Sequence, residues 1–580
     1  MHRIIFYSGK NLKNLSSVQS KYLKSFGGAF FAALILTLCL IPGIIRTRIG
    51  VNVFDEPYQM LTGMFPESAP YSPLSAYLTK WCGELFNWRW IYFRYLALGL
   101  NAASILIPGA YLYYKSRRYT FSLVTTCCAL LLGTLIPNIF NIYGWDDWTQ
   151  FGLVIIILTF FSYISRPKLW KIVVLAVLSA VLIFLRIPNL SILVLMSGLI
   201  WILFRKTPGY NRTRNILIYT SLSVIILFFG ILAMYGSLEN YINSFIENPI
   251  ENHGFIRLTY STVEVLFIVT AYICFYQAFY DLLNTQIINS HKWLFGLSPL
   301  AIFCFIFIFT VFTENIFFIW SLAAIIAVII FGAVLFYIKN KQGFYSVQSL
   351  KLTSALVLGC IPFIGSNVGA VKFLIFPMVP ILGLFIMPYL NRKLKILALC
   401  IFVAIYSLVA YKLSRRSFWD EGYLTTTYRM RGGKMDGLYT TPERGKHITE
   451  TIDSFSKYSN ESNKTLILRV NEDYLMEYLF NSRNSYLGSR FAYPAIYTSK
   501  EYVDWAEKEI ENSDKPVVVL WQKFDTFELS DIPDLPMLSM LEKHLKRMED
   551  IDGYLIYASP NAKIMSENKL HSVKNIFINK

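Results

Sequence analysis

The stretch FGGAFFAALILTLCLIPGIIRTRIGVNVFDEPY, residues 26–58, sets the fold class of this 580-residue chain. Residues 27–45 form an almost unbroken apolar run, and a helix of about 20 apolar residues is long enough to span a bilayer. Two arginines follow the run, and then two adjacent carboxylates, Asp55 and Glu56. The stretch therefore predicts a membrane-spanning helix that leads into an acidic loop at the membrane surface.

The remainder of the chain repeats the apolar pattern. Hydrophobic residues make up 55% of the sequence and charged residues 16%, with a mean hydropathy of +0.45, whereas a soluble domain carries about 25% charged residues. This composition excludes a wholly soluble enzyme, a disordered chain and a disulfide scaffold. It predicts a polytopic α-helical membrane protein with about 13 transmembrane helices, at residues 27–45, 91–114, 120–137, 150–165, 170–187, 189–204, 215–235, 261–280, 293–312, 316–338, 352–370, 371–389 and 396–411.

The net charge of +17 follows from topology. Residues 412–580 hold 24 Lys and Arg against 25 Asp and Glu, so the basic excess belongs to residues 1–411, with 30 against 12. Within that part, alternate connecting segments are rich in Lys and Arg, and such segments face the cytoplasm. We therefore expect a cytoplasmic N-terminus, an external C-terminus and no nucleic-acid partner.

Three parts of the chain are predicted from these patterns. Residues 1–26 form a basic cytoplasmic tail, residues 27–411 the transmembrane domain, and residues 412–580 an external domain with alternating helix and strand patterns, which indicates an α/β fold. In this domain Thr441-Pro442 predicts the start of one helix, and residues 538–548 are expected to form another. The first apolar run lacks a small-residue cleavage signal and is predicted to be a signal anchor. Only Cys82 lies in a predicted external loop, so no disulfide framework or thiolate metal site is expected.

The first external loop, residues 46–90, is predicted to contain two helices. Pro57 suits the first turn of one helix, and Ser72-Pro73 is a start signal for the other. The second helix has one apolar stripe with a Trp and a Tyr, which predicts that it lies in the membrane interface and holds Asp55 against the membrane surface. The stripe consists of Leu74, Tyr77, Leu78, Trp81, Cys82, Leu85 and Phe86.

Two further external segments carry acidic groups. Asp146 and Asp147 lie between Trp145 and Trp148, and two interpretations stay open for them. They cap a helix within an aromatic belt at the membrane boundary, or they bind a divalent cation through carboxylate oxygens. The segment 236–260 has no spacing typical of a metal site and is expected to be a surface loop.

These features together resemble the GT-C superfamily of integral-membrane glycosyltransferases, which use polyprenyl-phosphate sugars. The resemblance rests on the Asp55-Glu56 pair in the first external loop, the interfacial helix, the thirteen spans and the external C-terminal domain. Arg186-Ile187-Pro188-Asn189 is similar to a basic-Pro turn often seen in this group. The external domain lacks the WWD-type motif of the oligosaccharyltransferase subunit, which favours the protein O-mannosyltransferase and lipid A aminoarabinose transferase branch.

The resemblance implies a reaction and a set of site residues. A polyprenyl-phosphate sugar donor in the membrane would react with a hydroxyl of an acceptor glycan, lipid or protein. Asp55 would act as the general base, with Glu56 orienting it, unless Asp55 only caps a helix. Arg186, Arg257 and Lys372 would bind the donor phosphate, unless Arg186 and Lys372 only reach the lipid headgroups. No cofactor is certain, and a divalent cation stays open.

Other functions fit the same architecture. A transporter or flippase also has many spans with buried charges, but transporters usually show internal repeats and broken helices at the midplane, and this sequence shows no repeat. A polysaccharide polymerase or ligase and an inactive scaffold stay open as well. The expected location is a bacterial inner membrane, with the C-terminal domain in the periplasm.

Overall fold

The computed structural model describes most of the N-terminal half and much of the C-terminal domain. The described residues are 10–51, 55–135, 143–204, 210–247, 347–359, 361–363, 378–389, 416–417, 420–421, 424–468, 474–482, 500–522, 536–551 and 554–565. The predicted spans at 261–280, 293–312, 316–338 and 396–411 lie outside them, as do the candidate phosphate ligands Arg257 and Lys372.

Helices dominate the first part of the chain. They are α1 Lys10–Thr47, α2 Asp55–Met64, α3 Pro73–Phe86, α4 Trp90–Ser116, α5 Tyr119–Leu135, α6 Trp145–Ser165, α7 Leu169–Leu185, α8 Ser191–Leu203, α9 Arg212–Tyr235, α10 Leu238–Glu247, α11 Val347–Gly359 and α12 Met378–Ile386. Short 3₁₀ turns lie at Pro66–Ser68, Ile187–Leu190, Ile361–Phe363 and Met387–Tyr389.

The helices form a membrane-spanning bundle. Four of the described helices are long and apolar enough to cross a bilayer, at Gly28–Thr47, Trp90–Ser116, Asp146–Ser165 and Arg212–Tyr235, and shorter apolar helices lie beside them. The first and last of these four expose large apolar side chains, such as Phe31 on α1 and Phe229 on α9. Because such surfaces are unfavourable in water, the chain is a multi-pass membrane protein.

The loop between α1 and α4 contains the two predicted helices. Helix α2 begins at Asp55, two residues before Pro57, whose missing N–H costs nothing within a first helical turn. A Cβ on Gly63 of α2 would lie 2.4 Å from Thr79 Cγ2, so the glycine lets α2 and α3 touch. Helix α3 buries this small-residue side and exposes Trp81 and Leu85 of the predicted apolar stripe, as an interfacial helix requires.

The C-terminal domain is α/β, as predicted. Its main sheet has the order β5-β6-β8-β7, in which β5 and β6 are parallel and the other pairs antiparallel. Its strands are β1 Arg416–Ser417, β2 Asp420–Glu421, β3 Tyr428–Arg429, β4 Tyr439–Thr440, β5 Lys464–Leu468, β6 Val517–Gln522, β7 Lys546–Ile551 and β8 Tyr554–Ala558. Its helices are α13 Pro442–Ser456, α14 Leu475–Leu479, α15 Lys500–Glu511 and α16 Pro536–His544, with a 3₁₀ turn at Gly433–Met435.

One element of this domain differs from the prediction. The pattern favoured a helix from residue 538 to residue 548, but α16 ends at His544 and β7 begins at Lys546. The charged residues of β7 are typical of the polar face of a helix. In the structure this segment instead pairs with β8 and forms an edge strand of the sheet. Tertiary pairing overrides local preference most easily at such an edge.

Candidate functional site

A buried ion pair lies at the start of α2. Arg94 Nε donates to Glu56 Oε1 and Oε2 at 3.0 and 3.1 Å, and Arg94 Nη2 donates to Glu56 Oε2 at 2.9 Å. The side chain of Glu56 is fully buried and that of Arg94 is 2% exposed. Two parallel N–H···O contacts of this kind fix the relative orientation of the two groups as well as their distance.

Arg94 also holds the chain that leads to α2. Its Nη1 donates to the backbone carbonyls of Thr47 and Gly50, at 3.0 and 2.9 Å. One guanidinium therefore binds the end of α1, the segment that follows it and the first turn of α2. The sequence prediction missed Arg94, although a charged residue inside the apolar run 91–114 is a signal for function by itself.

The surroundings of Glu56 combine full burial with an opposite charge. The indole of Trp90 and the backbone N–H of Tyr143 also approach it, and burial raises the pKa of Glu56 while the Arg94 guanidinium opposes that rise. A group that is fully buried and paired in this way is suited to fixing its neighbours. The structure places Asp55 directly before it, as the first residue of α2.

The two adjacent carboxylates at the start of α6 have different partners. Asp147 accepts the backbone N–H of Gly144 at 3.1 Å and the amide of Asn101 at 3.2 Å. Asp146 lies 3.6 Å from Arg186. The contacts of Asp147 match the capping interpretation, and a divalent cation shared by Asp146 and Asp147 stays a prediction.

Arg186 lies at the end of α7 and points into the protein. Its side chain is 7% exposed, and its Nη1 donates to the carbonyl of Pro362 at 3.1 Å and faces Asp146. The next backbone N–H, that of Ile187, donates to the carbonyl of Tyr71 at 2.9 Å. The turn that carries Arg186 is thus fastened to the loop between α2 and α3, so Arg186 does not simply extend into lipid headgroups.

These groups share one end of the bundle, which we call the loop end and define by Glu56, Arg94, Asp146, Asp147 and Arg186. The helices that carry the Glu56–Arg94 pair and the Asp146–Arg186 pair are in contact. A Cβ on Gly144 would lie 3.0 Å from the Gln59 side chain, so α2 packs directly on the start of α6. The structure therefore brings Glu56, Asp146, Asp147 and Arg186 to the same end of the bundle, where α2 begins at Asp55.

A second acidic cluster lies on the surface of the C-terminal domain. The ligand atoms of Glu507, Glu511 and His544 lie within 4.8 Å of one another. Hydrogen bonds from Lys543 and His544 hold the pKa of Glu507 below its ordinary value, with contact distances of 2.9 and 2.7 Å. The ammonium of Lys543 already pairs with the Glu507 carboxylate that a metal ion would need as a ligand. This cluster is therefore a surface ion-pair network.

The chain is similar to a solved structure of ArnT. The crystal structure of ArnT from Cupriavidus metallidurans bound to undecaprenyl phosphate covers 92% of this chain and 99% of its own chain, with 10% sequence identity and a TM-score of 0.36. No family model matches the sequence, and the search of curated proteins finds no match. At this TM-score the likeness supports no residue role.

Proposed function

We propose that the protein is an integral-membrane glycosyltransferase that moves a sugar from a polyprenyl-phosphate donor to an acceptor hydroxyl at the loop end of the bundle. The observation that carries the proposal is the pairing at this end. Arg94 holds the start of the helix that carries Asp55, and Arg186 at the end of α7 lies beside Asp146 at the start of α6. Acidic side chains and arginine side chains thus lie together at one end of the membrane bundle.

The reaction needs a base and a stabilised leaving group. The acceptor oxygen attacks the anomeric carbon, the bond from that carbon to the phosphate oxygen breaks, and the polyprenyl phosphate leaves with the bonding electron pair. Asp55 takes the hydroxyl proton, a contribution of about 10²–10⁴-fold in rate. Glu56 and Arg94 position Asp55, and Arg186 stabilises the charge that develops on the phosphate.

Transfer by the wild-type protein tests the proposal directly. The purified protein is reconstituted in liposomes with a radiolabelled polyprenyl-phosphate sugar and a set of hydroxyl acceptors. We expect label to move from the lipid to an acceptor. Movement of the intact lipid-linked sugar across the bilayer without transfer would support a flippase instead, and joining of repeat units would support a polymerase.

The role of Arg186 has its own test. We expect Arg186→Gln to raise the KM for the donor by about 10- to 100-fold, because a hydrogen bond to a charged group contributes about 1.5–3 kcal/mol. Initial rates at several donor concentrations measure the effect. Arg214→Gln is the matched control, since Arg214 is exposed at the start of α9. An unchanged KM in Arg186→Gln would remove Arg186 from the phosphate site.

The orientation of the loop end is proposed to be extracytoplasmic, with a bacterial inner membrane and a periplasmic C-terminal domain. In a Cys82→Ser background, a membrane-impermeant maleimide is expected to label Glu84→Cys on α3 in intact cells. Lys168→Cys, which lies between α6 and α7, is expected to react only after permeabilisation. Both native side chains are exposed, so accessibility alone does not separate them. The reverse labelling pattern would invert the topology.

A further inference from the structure

We propose that Asp420 of the C-terminal domain is a positioning residue of the active site, which makes that domain an obligatory part of the catalytic machinery. This inference rests on the proposed function, in which Asp55 is the base. The domain touches the backbone between α1 and α2, the segment from Arg48 to Val51, which leads to the acid pair. We call residues 48–51 the hinge segment.

The C-terminal domain pairs with the hinge segment through its backbone. The N–H of Tyr439 donates to the carbonyl of Arg48 at 2.7 Å, and the N–H of Gly50 donates to the carbonyl of Tyr439 at 2.8 Å. These two bonds form a parallel bridge between Ile49 and Tyr439. A short piece of the membrane domain thereby pairs with β4, on the side opposite β3.

Asp420 completes this junction with a side chain. Its Oδ2 accepts the N–H of Val51 at 2.9 Å and the hydroxyl of Thr440 at 2.7 Å. Its Oδ1 lies 3.9 Å from Arg444, and its side chain is only 2% exposed. A buried carboxylate with three partners from two domains holds its neighbours in one arrangement, because its loss takes an acceptor from the buried N–H of Val51 and the buried hydroxyl of Thr440.

The hinge segment is therefore held from two sides. Arg94 of the membrane bundle binds the carbonyl of Gly50, while the C-terminal domain binds the N–H groups of Gly50 and Val51. Four residues after Val51, α2 begins at Asp55. Release of the hinge segment on the domain side leaves it held from the membrane bundle alone, through Arg94 and through Arg46, which donates to the carbonyl of Ile49. We infer that the start of α2 is then less firmly positioned.

A further contact strengthens the same junction. The ring of Tyr474 packs 5.1 Å from the ring of Tyr58 on α2, and the ring of Tyr478 meets that of Trp90 at 5.7 Å in an edge-to-face arrangement. Helix α14 thus lies against α2 and the start of α4. The domain contacts both the entry to α2 and its body, as a positioning element requires.

The test compares three variants for transfer and for exchange. Asp420→Ala is expected to lower kcat at least tenfold with an unchanged KM for the donor, since the donor phosphate site does not include the hinge segment. Asp420→Asn retains an acceptor oxygen and is expected to recover most of the activity. Asp436→Ala is the control, because Asp436 lies between β3 and β4, is partly exposed and pairs only loosely with Arg429, at 3.9 Å.

Hydrogen–deuterium exchange supplies a readout that does not depend on activity. The peptide that covers residues 48–56 is expected to exchange faster in Asp420→Ala, by at least tenfold at Gly50 and Val51, and to stay protected in Asp436→Ala and Asp420→Asn. If the wild type transfers no sugar, the proposed function fails, while this exchange still tests the junction. Wild-type kcat in Asp420→Ala, wild-type exchange there, or a general loss of protection across the C-terminal domain would overturn the inference.

Discussion

Asp55→Asn is expected to reduce sugar transfer by about 10²–10⁴-fold, the range typical of a lost general base. The amide has nearly the shape of the carboxylate but cannot take the proton of the acceptor hydroxyl at neutral pH. Donor binding does not involve this proton, so the dissociation constant for the lipid-linked sugar is expected to stay within about twofold of wild type. Single-turnover transfer with saturating donor measures the chemical step.

The control for this prediction comes from the same loop. Glu84→Gln removes an exposed carboxylate from α3 and is expected to leave the rate unchanged. A rate for Asp55→Asn within threefold of wild type would mean that another group takes the proton. The proposal would then lose its base, although the donor site at Arg186 would still be tested separately.

Arg94→Met and Glu56→Gln are each expected to destabilise the protein by about 3–5 kcal/mol. Either change leaves one member of a fully buried pair without its counter-charge, and this loss costs more than the pair itself contributes. Arg94→Met has the larger effect, because the carbonyls of Thr47 and Gly50 lose their donor as well. Thermal unfolding in a lipid-like detergent, with the bundle intact at the start, measures the change.

A double substitution separates the cost of an unpaired buried charge from the positioning role of the pair. Glu56→Gln combined with Arg94→Met removes both charges of the pair, so we expect it to recover the part of the loss that comes from an unpaired charge, while the carbonyls of Thr47 and Gly50 still lack their donor. Transfer is expected to stay low in the double variant, since the ion pair no longer fixes the start of α2. Arg118→Gln serves as the control, because Arg118 is exposed and lies between α4 and α5, at the opposite end of α4 from Arg94. Full activity in the double variant would show that the pair only stabilises.

Local patterns predicted much of the architecture. Apolar length alone predicts a membrane helix, because the bilayer imposes a fixed thickness. The start signal at Ser72-Pro73 predicted α3, which begins at Pro73, and Thr441-Pro442 predicted α13, which begins at Pro442. These signals are local, since a cap and a proline act within one helical turn. The helix expected over residues 538–548 failed for the converse reason, because only the pairing of β7 with β8 defines that strand.

The sequence pointed to some of the candidate site residues but not to the residues that they contact. The sequence proposed Asp55 and Glu56 through their place in the first external loop and the family resemblance, and Arg186 because charged residues within apolar runs are costly and therefore conspicuous. It did not identify the partners of these residues. Arg94 lies 38 residues after Glu56, and Asp420 lies 369 residues after Val51.

No local pattern links positions that far apart, since such contacts depend on how helices and domains pack. The sequence determined that this is a membrane protein with an acidic loop after its first span. Only the tertiary structure decided that Arg94 holds Glu56, that Asp146 faces Arg186, and that the C-terminal domain binds the hinge segment. Burial determines which residues pair in this way, because a charge removed from water is stable only where the fold supplies its partner.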